Sequence, residues 1–143
     1  MDTMIEIQNR LTNRRIDPAD FERLLRSLIR RYRVRRPSVT LVFVGDAAIR
    51  RLNRVYRKKD KATDVLSFPL MEKGPDGDLH MGDIIISVPR AAAQAGELGH
   101  SLDQELRYLT AHGFLHLLGF EHSRGHEEEE KKLAPSLVLK KVK

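Results

Sequence analysis

The chain has 143 residues, of which 41% are hydrophobic and 32% charged, as is typical of one compact domain with a real core. It has no cysteine, which excludes thiolate metal sites and disulfide-linked partners and favours a reducing cytoplasm. The formal net charge of +6, concentrated between residues 10 and 61, indicates either a nucleic-acid-binding surface or a solvated basic surface. The sequence shows neither a signal peptide nor an apolar stretch long enough to span a membrane.

The first part of the chain predicts two strands and two helices. Residues 5–9 alternate apolar and polar side chains, as a short strand does. Asp17 is a favourable N-cap for an amphipathic helix over 18–33. The β-branched segment 38–44 predicts a second strand, and Gly45 precedes a second helix. The apolar positions of that helix are Ile49, Leu52, Val55 and Tyr56.

The second part predicts a hairpin followed by two helices. Strands over 65–70 and 81–87 flank a segment rich in turn-forming residues, so we expect them to pair. A helix is predicted over 89–98. Ser101 and Gln104 then form a capping box that begins a last helix, which continues to Leu118.

Strands mixed with helices predict a single α+β domain. We expect it to extend over residues 1–126, with a small mixed sheet of about four strands packed against about five helices. Residues 127–143 form a charged C-terminal tail for which no structure is predicted. The tyrosines and phenylalanines show no pattern that predicts a stacking platform for bases.

Three histidines predict a metal site on the last helix and the turn after it. His112 and His116 are four residues apart, a spacing that places two side chains on one helix face. Gly119 is suited to end the helix in a left-handed conformation, and the returning chain would supply His122 as a third ligand. Three protein ligands with one open position are typical of catalytic zinc. The alternative is a helix with two unrelated histidines followed by a loop histidine.

The residue after the first histidine argues against a peptidase. The spacing equals the metzincin pattern H-E-x-x-H-x-x-G-x-x-H, but Gly113 replaces the glutamate that acts as general base. We therefore expect metal-assisted hydrolysis with another proton acceptor. Glu121 is one candidate acceptor, although a solvent-exposed role is equally compatible with its position.

Three blocks of sequence are similar to the YbeY family. HGFLHLLGFEH, over 112–122, resembles the family's HGxLHLxGYDH. LNRVYRKKDKATDVLSFP, over 52–69, resembles LNxxYRxKDxPTDVLSFP, and GDIIIS, over 82–87, resembles GDIxIS. The chain departs from the family at Ala62, where proline is usual, and at Pro135, which would interrupt the family's last helix.

This resemblance implies a function. The family's members are regarded as single-strand-specific endoribonucleases that mature small-subunit (16S) rRNA and act in ribosome quality control. The three-histidine site predicts one Zn²⁺ ion. The resemblance implies partners in rRNA and the small ribosomal subunit, and a catalytic role for Arg57, which composition alone would class as a surface arginine. We expect nearby lysines to bind the RNA backbone; they are Lys58, Lys59 and Lys61.

Two other functions stay open at this point. One is a zinc-containing ribosome-assembly or RNA-binding protein without catalysis, and the other a metalloprotease-like hydrolase that lacks the usual glutamate. Two acidic residues have ambiguous roles. Asp64 is either a turn residue or a hydrogen-bond partner of a ligand histidine, and the turn is favoured. Glu105 is expected at the surface or in an interhelical salt bridge.

Overall fold

The computed structural model describes residues 3–75 and 77–119. The strands are β1 (Met4–Asn9), β2 (Pro37–Val44), β3 (Val65–Lys73) and β4 (Leu79–Ser87). The helices are α1 (Pro18–Arg31), α2 (Asp46–Arg57), α3 (Val88–Leu98) and α4 (Leu102–Leu117). The α+β class and the four strands confirm the prediction, whereas the described residues form four helices rather than about five. His122, Glu121 and the tail 127–143 lie outside the described residues.

The four strands form one mixed sheet in the order β1-β2-β4-β3. β2 pairs in parallel with both β1 and β4, and β3 pairs antiparallel with β4, which confirms the predicted hairpin. β3 therefore lies at an edge of the sheet. Pro69, which has no N–H to donate to a neighbouring strand, is tolerated at such an edge.

The helices cover the two faces of the sheet unequally. α1, α3 and α4 pack on one face around a large core, which includes Ile84 and Ile86 of β4. Ile85 points to the opposite face, where α2 closes a smaller second core with Ile49. The edge strand β3 is thus bordered by α4 on one face and by α2 on the other.

Local signals position the last helix, α4. The predicted capping box is present: the Gln104 N–H donates to Ser101 Oγ at 3.1 Å, and the Gln104 side chain accepts from the Ser101 N–H at 2.9 Å. A buried ion pair of 3.0 Å between Arg107 and Asp20 connects α4 to α1. Gly119 follows the helix with a φ of 99°, the left-handed conformation that its position predicts.

Glu105 is buried and contacts the turn before α4, so of its two expected roles, at the surface or in an interhelical salt bridge, the surface one is wrong. Its side chain is 2% exposed and lies 2.6 Å from Nε2 of His100, in the turn between α3 and α4. A buried carboxylate requires such a partner, because its desolvation would otherwise be costly. Glu105 therefore connects the beginning of α4 to the preceding turn.

The second helix, α2, buries less of its apolar face than the sequence predicts. Ile49 is fully buried and Leu52 half-buried, but Val55 and Tyr56 are 59% and 65% exposed. Tyr56 is seven residues after Ile49 and so continues the same helical face. In this last turn its ring contacts Phe68 of the edge strand, and its other side faces solvent.

Among the described residues, no helix has the length and apolar character needed to cross a membrane.

Candidate active site

A cavity of about 830 Å³ opens beside the edge strand, where the end of α2, the segment 58–64, β3 and α4 meet. Its volume lies within the range of small-molecule and cofactor sites. The polar and aromatic side chains that line it are Asn53, Arg57, Lys59, Lys61, Thr63, Asp64, Ser67, Tyr108, His112 and His116. The lining therefore combines basic side chains from the end of α2 and the following segment with two imidazoles from α4.

Two of the three predicted metal ligands line the cavity together. His112 and His116 are half-buried on α4, and their ring centroids are 4.8 Å apart. Neighbouring imidazoles suit zinc and other transition metals, so this pair fits two positions of the predicted ligand set. His122 lies outside the described residues. Within 3–75 and 77–119, no group of three His, Cys, Asp or Glu side chains forms a metal site.

Gly113 brings the backbone of α4 into direct contact with the sheet. A Cβ atom there would lie 2.6 Å from Cγ2 of Ile84 and 3.2 Å from Oγ of Ser67. The Ser67 hydroxyl donates to the Gly113 carbonyl at 3.3 Å. The position has no space for a glutamate side chain. Packing therefore requires glycine here, which is the residue that distinguishes this motif from the metzincin pattern.

Arg57 reaches the cavity from the last residue of α2. Its Nη2 donates to the backbone carbonyl of Ser67 at 2.6 Å, and its guanidinium carbon lies 5.6 Å from the centroid of the Phe68 ring. The carbonyl orients Arg57 without neutralising it, because this acceptor has no charge. The arrangement places a cation in the lining of the cavity that also holds His112 and His116.

The three predicted RNA-binding lysines follow Arg57 but differ in placement. Lys59 and Lys61 line the cavity, whereas Lys58 ends α2 with a φ of 58° and is exposed outside the lining. Buried Asn53 holds this segment in place. Its side-chain Nδ2 donates to the backbone carbonyl of Lys61 at 3.0 Å, and its backbone carbonyl accepts from the Lys59 N–H at 3.2 Å. The lysines therefore extend from a fixed backbone.

Asp60, the acidic residue among these lysines, is engaged by arginines of α2. Its carboxylate accepts from Arg50 at 2.8 and 3.2 Å, and Arg54 lies 3.8 Å away. The hydrogen bond from Arg50 lowers the pKa of Asp60 and raises that of Arg50. Asp60 is thus compensated on the side of α2, and the segment keeps a positive charge toward the cavity.

Several lining residues were not predicted from the sequence, among them Asn53 and Tyr108. Asn53 lies four residues after Ile49 on the buried face of α2. A polar residue among the apolar positions of that face is the sequence signal that could have identified it. Tyr108 precedes His112 by one helical turn, and their ring centroids are 5.9 Å apart. Asp64 also lines the cavity, and its carboxylate accepts from the N–H of the next residue, Val65, at 2.7 Å.

Comparison with known proteins identifies the family. The family model described as "Endoribonuclease YbeY" matches residues 6–142. A protein of that name from Moorella thermoacetica is 61% identical over a 92-residue alignment, with 59% of this chain and 59% of the relative covered. One from Aquifex aeolicus is 50% identical over 93 residues, which are 65% of this chain and 61% of the relative. This chain therefore spans about three fifths of the length of these relatives.

A solved structure shares the fold. The solution structure of TM1509 from Thermotoga maritima superposes with a TM-score of 0.61 and 28% sequence identity, covering 90% of this chain and 85% of that one. The family match includes the blocks that form the cavity: the end of α2 with the following segment, the hairpin strands and the histidine helix. On the strength of that match over nearly the whole sequence, the chain belongs to the YbeY family.

Proposed function

We propose that this protein is an endoribonuclease that cleaves single-stranded RNA with the help of a metal ion. The observation that supports this best is the convergence of His112, His116 and Arg57 in one basic cavity. Family membership supports the same activity, since the relatives above are named endoribonucleases. The proposed substrate is the 16S rRNA of the small ribosomal subunit, during its maturation and in ribosome quality control. The proposed location is the cytoplasm.

The proposed cofactor is one Zn²⁺ ion per chain, held by His112, His116 and His122. The 4.8 Å separation of the first two rings supports this set, and a chain without cysteine has no thiolate to offer instead. When bound, zinc supplies a Lewis acid for a phosphoryl oxygen and a water acidic enough to react near neutral pH. The ring of Tyr108 lies beside that of His112, with centroids 5.9 Å apart.

The remaining residues of the cavity act on the RNA backbone. Arg57, oriented by the carbonyl of Ser67, binds the scissile phosphate and neutralises the negative charge that develops during cleavage. Lys59 and Lys61, which line the same cavity, bind flanking phosphates. Exposed Lys58, next to Arg57 in the chain, adds to the positive potential around the cavity.

The first prediction tests the metal and the reaction together. Metal-defined protein is expected to cleave a labelled single-stranded RNA, to lose this activity with a chelator and to regain it with zinc. His116→Ala is expected to lack the bound metal, measured by elemental analysis, and to cleave no faster than the chelated protein. His80→Ala removes an exposed histidine outside the cavity and is expected to retain both.

Each alternative gives a different result in this experiment. Metal retained in full by His116→Ala would disprove the ligand assignment. RNA that is bound but not cleaved would indicate the assembly protein whose zinc is only structural. Metal-dependent cleavage of a peptide, without cleavage of RNA, would indicate the hydrolase related to metalloproteases, an outcome that the packing around Gly113 disfavours.

A second prediction concerns the lysines of the cavity. Affinity for a single-stranded RNA is expected to fall linearly with salt on logarithmic axes. The double variant Lys59→Ala/Lys61→Ala is expected to reduce the slope by about one to two, because each lysine contacts about one phosphate. Lys73→Ala removes a charge outside the cavity and is the control. Fluorescence anisotropy at several salt concentrations measures the slopes, and an equal slope in all proteins would contradict the assignment.

A further inference from the structure

Two aromatic rings lie together just outside the cavity. Tyr56 of α2 and Phe68 of β3 have ring centroids 5.5 Å apart at an interplanar angle of 71°. The guanidinium carbon of Arg57 lies 5.6 Å from the centroid of the same Phe68 ring. We call Tyr56, Phe68 and Arg57 the aromatic ledge. It lies on the face of the sheet that α2 covers, whereas the histidines lie on the α4 side of the edge strand β3.

In the ledge, the anchored ring of Phe68 supports the exposed ring of Tyr56. Phe68 is half-buried and packs against the second core, which limits its movement. Its contact with Tyr56 has the edge-to-face geometry that aromatic pairs prefer, so Phe68 also restrains the tyrosine. Tyr56 nevertheless remains 65% exposed. A restrained ring with an open face is suited to stack against a flat partner.

Arg57 connects the ledge to the cavity. The same side chain lines the cavity, donates to the Ser67 carbonyl and lies over Phe68. A phosphate bound by Arg57 would therefore place an adjoining nucleotide next to the exposed face of Tyr56. Aromatic side chains stack on bases in this way, with little dependence on sequence because every base has a π face.

We propose that the aromatic ledge stacks an unpaired nucleobase next to the phosphate held in the cavity. This inference rests on the proposed function, since it takes RNA as the ligand, and it adds a reason for preferring single strands. A base within a duplex is already stacked and paired, whereas an unpaired base has a face available to Tyr56. The charge around the ledge favours a polyanion over an apolar protein segment, because Arg54 and Arg57 occupy the last turn of α2 and Lys58 follows.

The test compares strands with and without bases. Fluorescence anisotropy gives the Kd of a labelled oligoadenosine and of an abasic ribose-phosphate strand of equal length, at one low salt concentration. Tyr56→Ala is expected to raise the Kd for oligoadenosine about tenfold and to leave that for the abasic strand unchanged. Tyr56→Phe keeps the ring and is expected to bind like the wild type. Val55→Ala, which shortens the exposed neighbouring residue, is the matched control.

The outcomes separate this proposal from the proposed function. Tight binding of oligoadenosine by Tyr56→Ala would overturn the ledge and leave the ribonuclease proposal intact. An equal loss for both strands would also overturn the ledge, because it would show that Tyr56 acts on the backbone contacts. A wild-type protein that binds neither strand would overturn both proposals. Circular dichroism confirms folding, which we expect since Tyr56 is exposed and alanine favours a helix.

Discussion

Arg57→Ala is expected to slow the cleavage of RNA by about 10²–10³-fold, which corresponds to about 3–4 kcal/mol of transition-state stabilisation. Arg57 is a cation in the lining of the cavity, and its hydrogen bond to the Ser67 carbonyl orients it before substrate binds. A group held in place in this way stabilises developing charge without reorganisation. The fold and the metal content are expected to be retained, because the side chain is exposed and contributes no ligand.

The rate is measured in single turnovers at saturating protein, so that weaker binding does not affect the comparison. Arg51→Ala is the matched control, since Arg51 is an exposed arginine of the same helix outside the cavity lining. Arg57→Lys keeps the charge but cannot contact the carbonyl and a phosphate with one planar group, so an intermediate rate is expected. Equal rates for Arg57→Ala and Arg51→Ala would show that Arg57 is one more surface charge.

Much of the fold was predictable because helix starts and strand patterns are local. The capping box at Ser101 and the N-cap Asp17 locate two helix starts from adjacent residues alone. The predicted bounds of the hairpin strands were less accurate. β3 continues to Lys73 and β4 begins at Leu79, beyond the predicted ranges 65–70 and 81–87. Pairing resumes after an irregularity between Pro69 and Glu72, within a segment whose residues favour a turn.

The site was predictable where its residues share one helix. His112 and His116 lie on one face because their spacing is helical, and the structure places their rings side by side. Contacts between distant segments were not predictable. Nothing in the sequence pairs the side chain of Arg57 with a carbonyl of the edge strand, or Tyr56 with Phe68. These contacts depend on how far α2 extends along β3, which only the packed structure determines.

The packing at Gly113 leads to the last prediction. Gly113→Ala is expected to lower the free energy of unfolding by about 1–3 kcal/mol, the usual cost of adding volume to a well-packed core. The new methyl group would approach fully buried Ile84 to 2.6 Å, and the β-branched isoleucine has few rotamers with which to move away. Relief then requires a shift of α4 away from the sheet, and His112 and His116 would move with it.

Chemical denaturation measures this change, and Gly96→Ala is its control. Gly96 is also a helical glycine, but a Cβ there would meet no atom within 4 Å, so alanine is expected to stabilise the protein by about 0.5–1 kcal/mol. The two substitutions are chemically identical, and opposite signs would isolate the contact with Ile84. Stabilisation by Gly113→Ala would show that α4 has room to move. Gly113→Glu introduces the glutamate of the metzincin pattern. It is expected to lower the free energy of unfolding more than Gly113→Ala does, because its carboxylate would enter a buried position against the sheet.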